Sequence, residues 1–227
     1  MPQARLNGGR RTAVLFDLDG TLIDSAPDLA GAGNEMRLAR GLAALPYAAF
    51  RPMVGAGARG MIAIALQVAP DDALYDALKA EFLDRYQARM TRETRVFEAM
   101  APVLDRLDAD SVAWGIVTNK AARFAEPLVR WLGLDRRAAV LVCGDTTARA
   151  KPHPDPLFEA ARRIGRDPAD CIYVGDDRRD VEAGRSAGMA TVVAAWGYLG
   201  AGDPVERWGA DHIVRAPDEL LTLLAMA

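Results

Sequence analysis

The chain predicts an α/β protein: a doubly wound, parallel-sheet, Rossmann-like core with a block of helices inserted after the first strand. Three observations lead there. Short apolar runs at 13–16, 112–117, 139–143, 171–174 and 191–195 are each followed by a polar tip and then by helix-spaced residues. Between about 25 and 95 that rhythm stops, and no strand-like alternation is found. With 227 residues, 51% of them hydrophobic, the chain can bury a sizeable core as one large or two modest domains.

The stretch AVLFDLDGTLID, residues 13–24, organises the rest. Its apolar start reads as a strand buried on both faces of a parallel sheet, with Asp17 at the carboxyl end. Asp19 follows two residues later, then Gly20 and Thr21. Ligands of open α/β sheets gather outside the carboxyl ends of strands, so two carboxylates there form a candidate site. Asp and Gly also make ordinary turns, and that reading stands beside it. Two desolvated carboxylates this close require a shared proton or a cation. A hard divalent ion such as Mg²⁺, with oxygen ligands, meets the need.

Residues 27–38 have helical spacing, with Asp24 or Ser25 placed to cap and Pro27 suited to a first turn. Stretches 47–54, 58–68 and 71–92 read as further helices or helix starts, separated by Pro and Gly breaks. Leu74, Leu78, Phe82 and Tyr86 recur every four residues and predict one apolar stripe. Residues 55–60, GAGARG, fit G-x-G-x-x-G. A dinucleotide site needs that pattern directly after a strand; Pro52 and the lack of an apolar run argue against it. The segment reads either as a helix boundary with solvated arginines or as an anion-facing turn. In the second case the amides around Gly55, with Arg51 and Arg59, would meet the substrate.

Beyond residue 100 the α/β rhythm is regular. Helices are expected at 102–108, 123–132, 155–164, 181–187 and 218–224, and a last short strand at 212–214. The tips carry Thr118-Asn119-Lys120, Gly144-Asp145, Lys151-Pro152 and Gly175-Asp176-Asp177, with Asp180 just beyond. Thr118 and Asn119 can hold phosphate oxygens without adding charge, Lys151 is a compact cation, and Asp176 with Asp180 adds carboxylates. Each tip alone is turn chemistry. Together they are the parts of a metal-assisted phosphoryl transfer. Of 28 basic residues only Lys79, Lys120 and Lys151 are lysines, and two of these stand at tips.

The formal net charge of -3 and the absence of like-charge blocks give no nucleic-acid footprint. No apolar run reaches the ~18 residues of a membrane span. Residues 1–11 read as a loose polar tail without a signal-peptide core. Cys143 and Cys171, without metal-site spacing, read as buried thiols of a cytoplasmic protein. The expected partner is a small phosphorylated metabolite rather than nucleic acid or membrane, and the expected state a monomer or homodimer.

The segments VLFDLDGTLID, VTNK, KPHPDP and VGDDRRDVEAGRSAG resemble, in order, the four motifs of the haloacid dehalogenase superfamily. The helical insert resembles its helical-cap subgroup. Within that, the chain is most similar to phosphoglycolate phosphatases and the related N-acetylmuramic acid 6-phosphate phosphatases. The resemblance implies a core of residues 1–24 and 96–227 and a cap of 25–95. It implies Asp17 as nucleophile, forming an aspartyl-phosphate, and Asp19 as general acid and then base. Thr118, Asn119 and Lys151 would hold the phosphoryl group. Mg²⁺ would be bound by Asp17, the Asp19 carbonyl and Asp176, with Asp180 orienting from behind them. Asp177 stands where such proteins often have a small hydroxyl residue. A dehalogenase would need neither Asp19 nor Asp176; a phosphomutase shares most motifs; a phospho-accepting signalling module would lack the insert.

Overall fold

All four residues of Ala13–Phe16 (β1) are buried, the pattern of a strand covered on both faces. The computed structural model describes residues 13–200 and 202–225, so the tail expected at 1–11 lies outside the described residues. The chain divides into two compact units. One holds residues up to Ile23, Val96–Gly197 and the chain from Asp203 on; the other holds Asp24–Arg95 with Tyr198–Gly202. The short strands Ile23–Asp24 (β2) and Arg95–Val96 (β3) pair in a two-stranded sheet, and the division falls within them.

The α/β unit continues with Ala101–Ala109 (α5, counting the four helices α1 to α4 of the other unit), Ala113–Val117 (β4), Ala122–Trp131 (α6) and Leu141–Val142 (β5). Asp155–Arg163 (α7), Cys171–Gly175 (β6), Arg178–Ala187 (α8), Ala190–Ala194 (β7), His212–Val214 (β8) and Glu219–Ala225 (α9) follow. The sheet order is β5-β4-β1-β6-β7-β8, every pairing parallel. Numbered within this sheet alone, that order reads third, second, first, fourth, fifth, sixth. It is the doubly wound arrangement, with its switch point between β1 and β6.

Register aligns Phe16 with Ile116 on one side and Val174 on the other, which brings the ends of three strands level. Side chains alternate between two cores, as the period of two requires. Val14, Phe16, Trp114, Ile172 and Val174 enter one apolar cluster; Leu15, Val117, Cys171 and Tyr173 enter the other. Phe16 meets Trp114 edge to face, 6.3 Å between ring centres. The expected strand at 139–143 is shorter, only Leu141–Val142, because β5 is an edge strand paired with β4 alone. The helix expected at 181–187 starts three residues earlier, where Asp177 and Asp180 form a capping box.

The helical unit contains Ala26–Leu38 (α1), Tyr47–Phe50 (α2), Gly57–Leu66 (α3) and Tyr75–Arg89 (α4). The stretch read as a helix over 47–54 is a single turn followed by a 3₁₀ segment, Arg51–Ala56. A 3₁₀ segment, not the strand that a dinucleotide site would need, precedes the glycine-rich start of α3. Leu78, Phe82 and Tyr86 are buried as their spacing predicts, but Leu74 is 63% exposed. It stands before the first turn of α4, where the helical period does not yet hold. Asp28 on α1 is fully buried and accepts from the N–H groups of Glu93 and Thr94, the Thr94 hydroxyl and Arg89. Tyr198 was not foreseen in this unit. Its hydroxyl accepts from the N–H groups of Ser25 and Ala26 and donates to Asp24 at 2.9 Å, capping the entry to α1.

Candidate functional site

At the switch point β1 and β6 end side by side, so Asp17 and Asp176 leave the sheet at neighbouring positions. The Asp17 N–H donates to the Val174 carbonyl at 2.8 Å, which extends the ladder one residue and fixes the origin of its side chain. After Leu18 the chain doubles back through a tight turn, its carbonyl accepting from Leu22 and Ile23. Gly20 adopts φ +87° there, and a Cβ on it would collide with the Asp176 carboxylate. The turn therefore needs glycine twice over. Thr21, buried, donates its hydroxyl to Asp176 at 3.0 Å.

Lys151 lies at the centre. Its side chain is 2% exposed, and Nζ meets Asp17 Oδ1 at 2.9 Å, Asp180 Oδ1 at 2.8 Å, the Val117 carbonyl at 2.9 Å and the Tyr173 hydroxyl at 2.7 Å. The Tyr173 hydroxyl in turn donates to Val117 at 2.8 Å. Burial works against a charge on Lys151, but the carboxylates of Asp17 and Asp180 together outweigh it and hold the ammonium pKa above its usual value. Burial, with Lys151 opposing it and Asp180 adding to it, pushes Asp17 up to about 6. Burial first, then Asp180 and Asp17, raises the Tyr173 phenol well above its ordinary range, so it stays protonated.

Asn119 clasps the Lys151 main chain: its amide donates to the Lys151 carbonyl at 2.9 Å and its oxygen accepts from the Lys151 N–H at 3.0 Å. An amide read from the sequence as a phosphate holder thus also positions the lysine loop. Thr118 is buried, its hydroxyl oxygen accepting from the Lys120 N–H. Asp180 directs one oxygen to Lys151 and the other to the Asp177 N–H. Asp177 caps α8 and pairs with Arg179 at 2.8 Å. Lys120 reaches both oxygens of Asp19 at 3.0 Å. The sequence signalled Lys120 only through the scarcity of lysine, and Tyr173 not at all, since a tyrosine within an apolar strand reads as core. Arg51, Gly55 and Arg59 belong to the helical unit. There Arg59 is exposed, whereas the Arg51 guanidinium lies over the Tyr198 ring, 5.3 Å from its centre.

One oxygen each from Asp17, Asp176 and Asp180 lie within 4.8 Å of one another. Asp19 is matched by Lys120 and Asp177 by Arg179. The three converging carboxylates and Lys151 then carry two formal negative charges in excess. A buried oxygen-rich cluster with that excess fits a hard divalent cation.

A family model described as haloacid dehalogenase-like hydrolase matches residues 14–194, from β1 through β7. The chain belongs to the haloacid dehalogenase-like hydrolase family. Among relatives in that family, the phosphoglycolate phosphatase of Xanthomonas campestris is 48% identical over 209 residues, covering 92% of this chain and 94% of its own. The N-acetylmuramic acid 6-phosphate phosphatase of Pseudomonas putida is 42% identical over 218 residues, covering 96% and 98%. The crystal structure of a predicted phosphoglycolate phosphatase from Haemophilus somnus superposes with TM-score 0.83 at 25% identity, covering 96% of this chain and 99% of that one.

Proposed function

We propose that this haloacid dehalogenase-like hydrolase is a phosphomonoesterase that releases phosphate from a small phosphorylated metabolite, 2-phosphoglycolate first. The observation that carries the reading is Asp17 at the switch point, one oxygen held by Lys151, with Asp19 two residues on under a separate ammonium. The 48% identical phosphoglycolate phosphatase supports the substrate. The relative acting on N-acetylmuramic acid 6-phosphate, matched over nearly its whole length, makes that ester the second candidate.

In this reading Asp17 attacks phosphorus with the oxygen that Lys151 does not hold. The ester P–O bond breaks and the leaving oxygen takes its proton from Asp19. Water then attacks the aspartyl-phosphate, giving its proton to Asp19 as the bond from phosphorus to Asp17 breaks. Thr118 and Lys151 hold the phosphoryl oxygens, and Asn119 keeps Lys151 in place. Mg²⁺, held by Asp17, Asp176 and the Asp19 carbonyl, with Asp180 and Asp177 orienting from behind, would offset phosphoryl charge when bound. The helical unit serves as cap and supplies selectivity, with Arg51, Gly55 and Arg59 as its anion-facing candidates. No described helix is long and apolar enough to cross a membrane. Cytoplasmic residence is part of the proposal, suited to the buried thiols of Cys143 and Cys171.

Phosphate release from 2-phosphoglycolate, N-acetylmuramic acid 6-phosphate and hexose phosphates tests this. Activity should vanish in chelator, return with Mg²⁺, and be lost in Asp17→Asn while substrate still binds. Near-normal turnover by that variant would sink the nucleophile assignment. A stable aspartyl-phosphate with no turnover would point instead to a signalling module.

A further inference from the structure

Asp19 is a short carboxylate in a turn, and a side chain there has several staggered rotamers open to it. Beside it stands Lys120, which the mechanism above does not use. Its N–H donates to the Thr118 hydroxyl at 3.1 Å and its carbonyl accepts from the Gly144 N–H at 2.9 Å. The lysine stem thus leaves the loop after β4 from a fixed point. Nζ ends 3.0 Å from both Asp19 oxygens, with the lysine side chain 9% and the aspartate 19% exposed. An ammonium equidistant from two oxygens of a half-shielded carboxylate selects one orientation of it. Lys151 meanwhile holds Asp17 and Asp180. The two acids of the reaction therefore have separate cations.

We infer that Lys120 is the positioning residue for Asp19, holding its carboxyl group where it exchanges a proton with the leaving oxygen and then with water. The inference rests on the acid–base role proposed for Asp19. Lys120 neither gains nor loses a proton: the one that leaves Asp19 goes to the departing alkoxide as the ester bond breaks. The one that returns comes from the attacking water.

Leaving groups separate this role from a structural one. A p-nitrophenolate departs without a proton, whereas an alkoxide needs one. General-acid catalysis contributes about 10²–10⁴-fold, so Lys120→Met should lose roughly 100-fold in kcat/KM on the best alkyl phosphate of the panel and under about fivefold on p-nitrophenyl phosphate. The surviving aryl phosphatase activity also reports that the variant has folded. Lys120→Arg should restore most of the alkyl activity. In an Asp19→Asn background Lys120→Met should add little, because the group it orients no longer carries the proton. Equal losses on both esters, no loss on either, or losses adding in full to those of Asp19→Asn overturn the inference. If Asp19→Asn alone loses no more on the alkyl than on the aryl ester, the acid–base role of Asp19 fails, and the inference with it. If Asp19→Asn discriminates and Lys120→Met does not, only the role of Lys120 fails.

Discussion

Asp17 lies in a cluster whose members pull on its proton in opposite directions. Its carboxyl rises from 3.8 to about 6, burial outweighing the Lys151 ammonium. The folded, metal-free chain therefore holds this proton more tightly than the unfolded chain does. The resulting contribution to stability is fully present below pH 3.8 and is lost as pH rises through about 6. Asp17→Asn removes the charge and with it the dependence. In chelator, wild type should lose stability relative to Asp17→Asn between about pH 4 and 7, by no more than about 3 kcal/mol. Urea melts of both proteins across that range would read it. A flat difference would mean that Lys151 already keeps Asp17 ionised throughout.

At the scale of elements, β1 and its turn place two carboxylates, while the loop after β4 and the loop before α7 bring the lysines that balance them. The helical unit depends on a comparable device. Asp28 on α1 gathers the N–H groups of Glu93 and Thr94, the Thr94 hydroxyl and the Arg89 guanidinium, and so fastens the returning chain to α1. Asp28→Ala would leave these donors buried without their acceptor. Removing one partner of a buried pair costs about 3–5 kcal/mol, so the urea midpoint should fall markedly. A loss under about 1 kcal/mol would show that water replaces the carboxylate without difficulty.

For the whole molecule the proposed division of labour is between an α/β unit that carries the reacting groups and a helical unit that chooses the substrate. The two arginines of the glycine-rich segment differ. Arg51 lies on the Tyr198 ring, whereas Arg59 is exposed. Arg59→Ala should raise KM for esters whose leaving group bears a carboxylate, with p-nitrophenyl phosphate nearly unaffected. A lost charge-assisted hydrogen bond is worth about 1.5–3 kcal/mol, or roughly ten- to a hundredfold in kcat/KM. Arg51→Ala should add a loss of thermal stability, because the stacking on Tyr198 goes too. Equal losses on both ester types for Arg59→Ala would assign that arginine to the fold instead.

The α/β class, the strand order of events along the chain and the acidic tips were legible in the residues alone. Apolar runs ending in Asp17, Thr118 and Asp176 are local patterns, and burial on both faces of a parallel sheet leaves them little freedom to mean anything else. Element ends were less legible. Leu74 carries the right spacing for α4 but stands before its first turn, and the strand at 139–143 is trimmed where only one neighbour pairs with it. Which charges meet could not be read before the chain was seen folded. Lys151 and Asp17 lie 134 positions apart and Lys120 and Asp19 101 apart. Tyr173 turns a core position into a ligand of an ammonium, and Tyr198 joins a unit from which the sequence separates it by a hundred residues. A residue's type limits the chemistry it can offer. Its partners are set by sheet order and register, which depend on the packing of the whole chain.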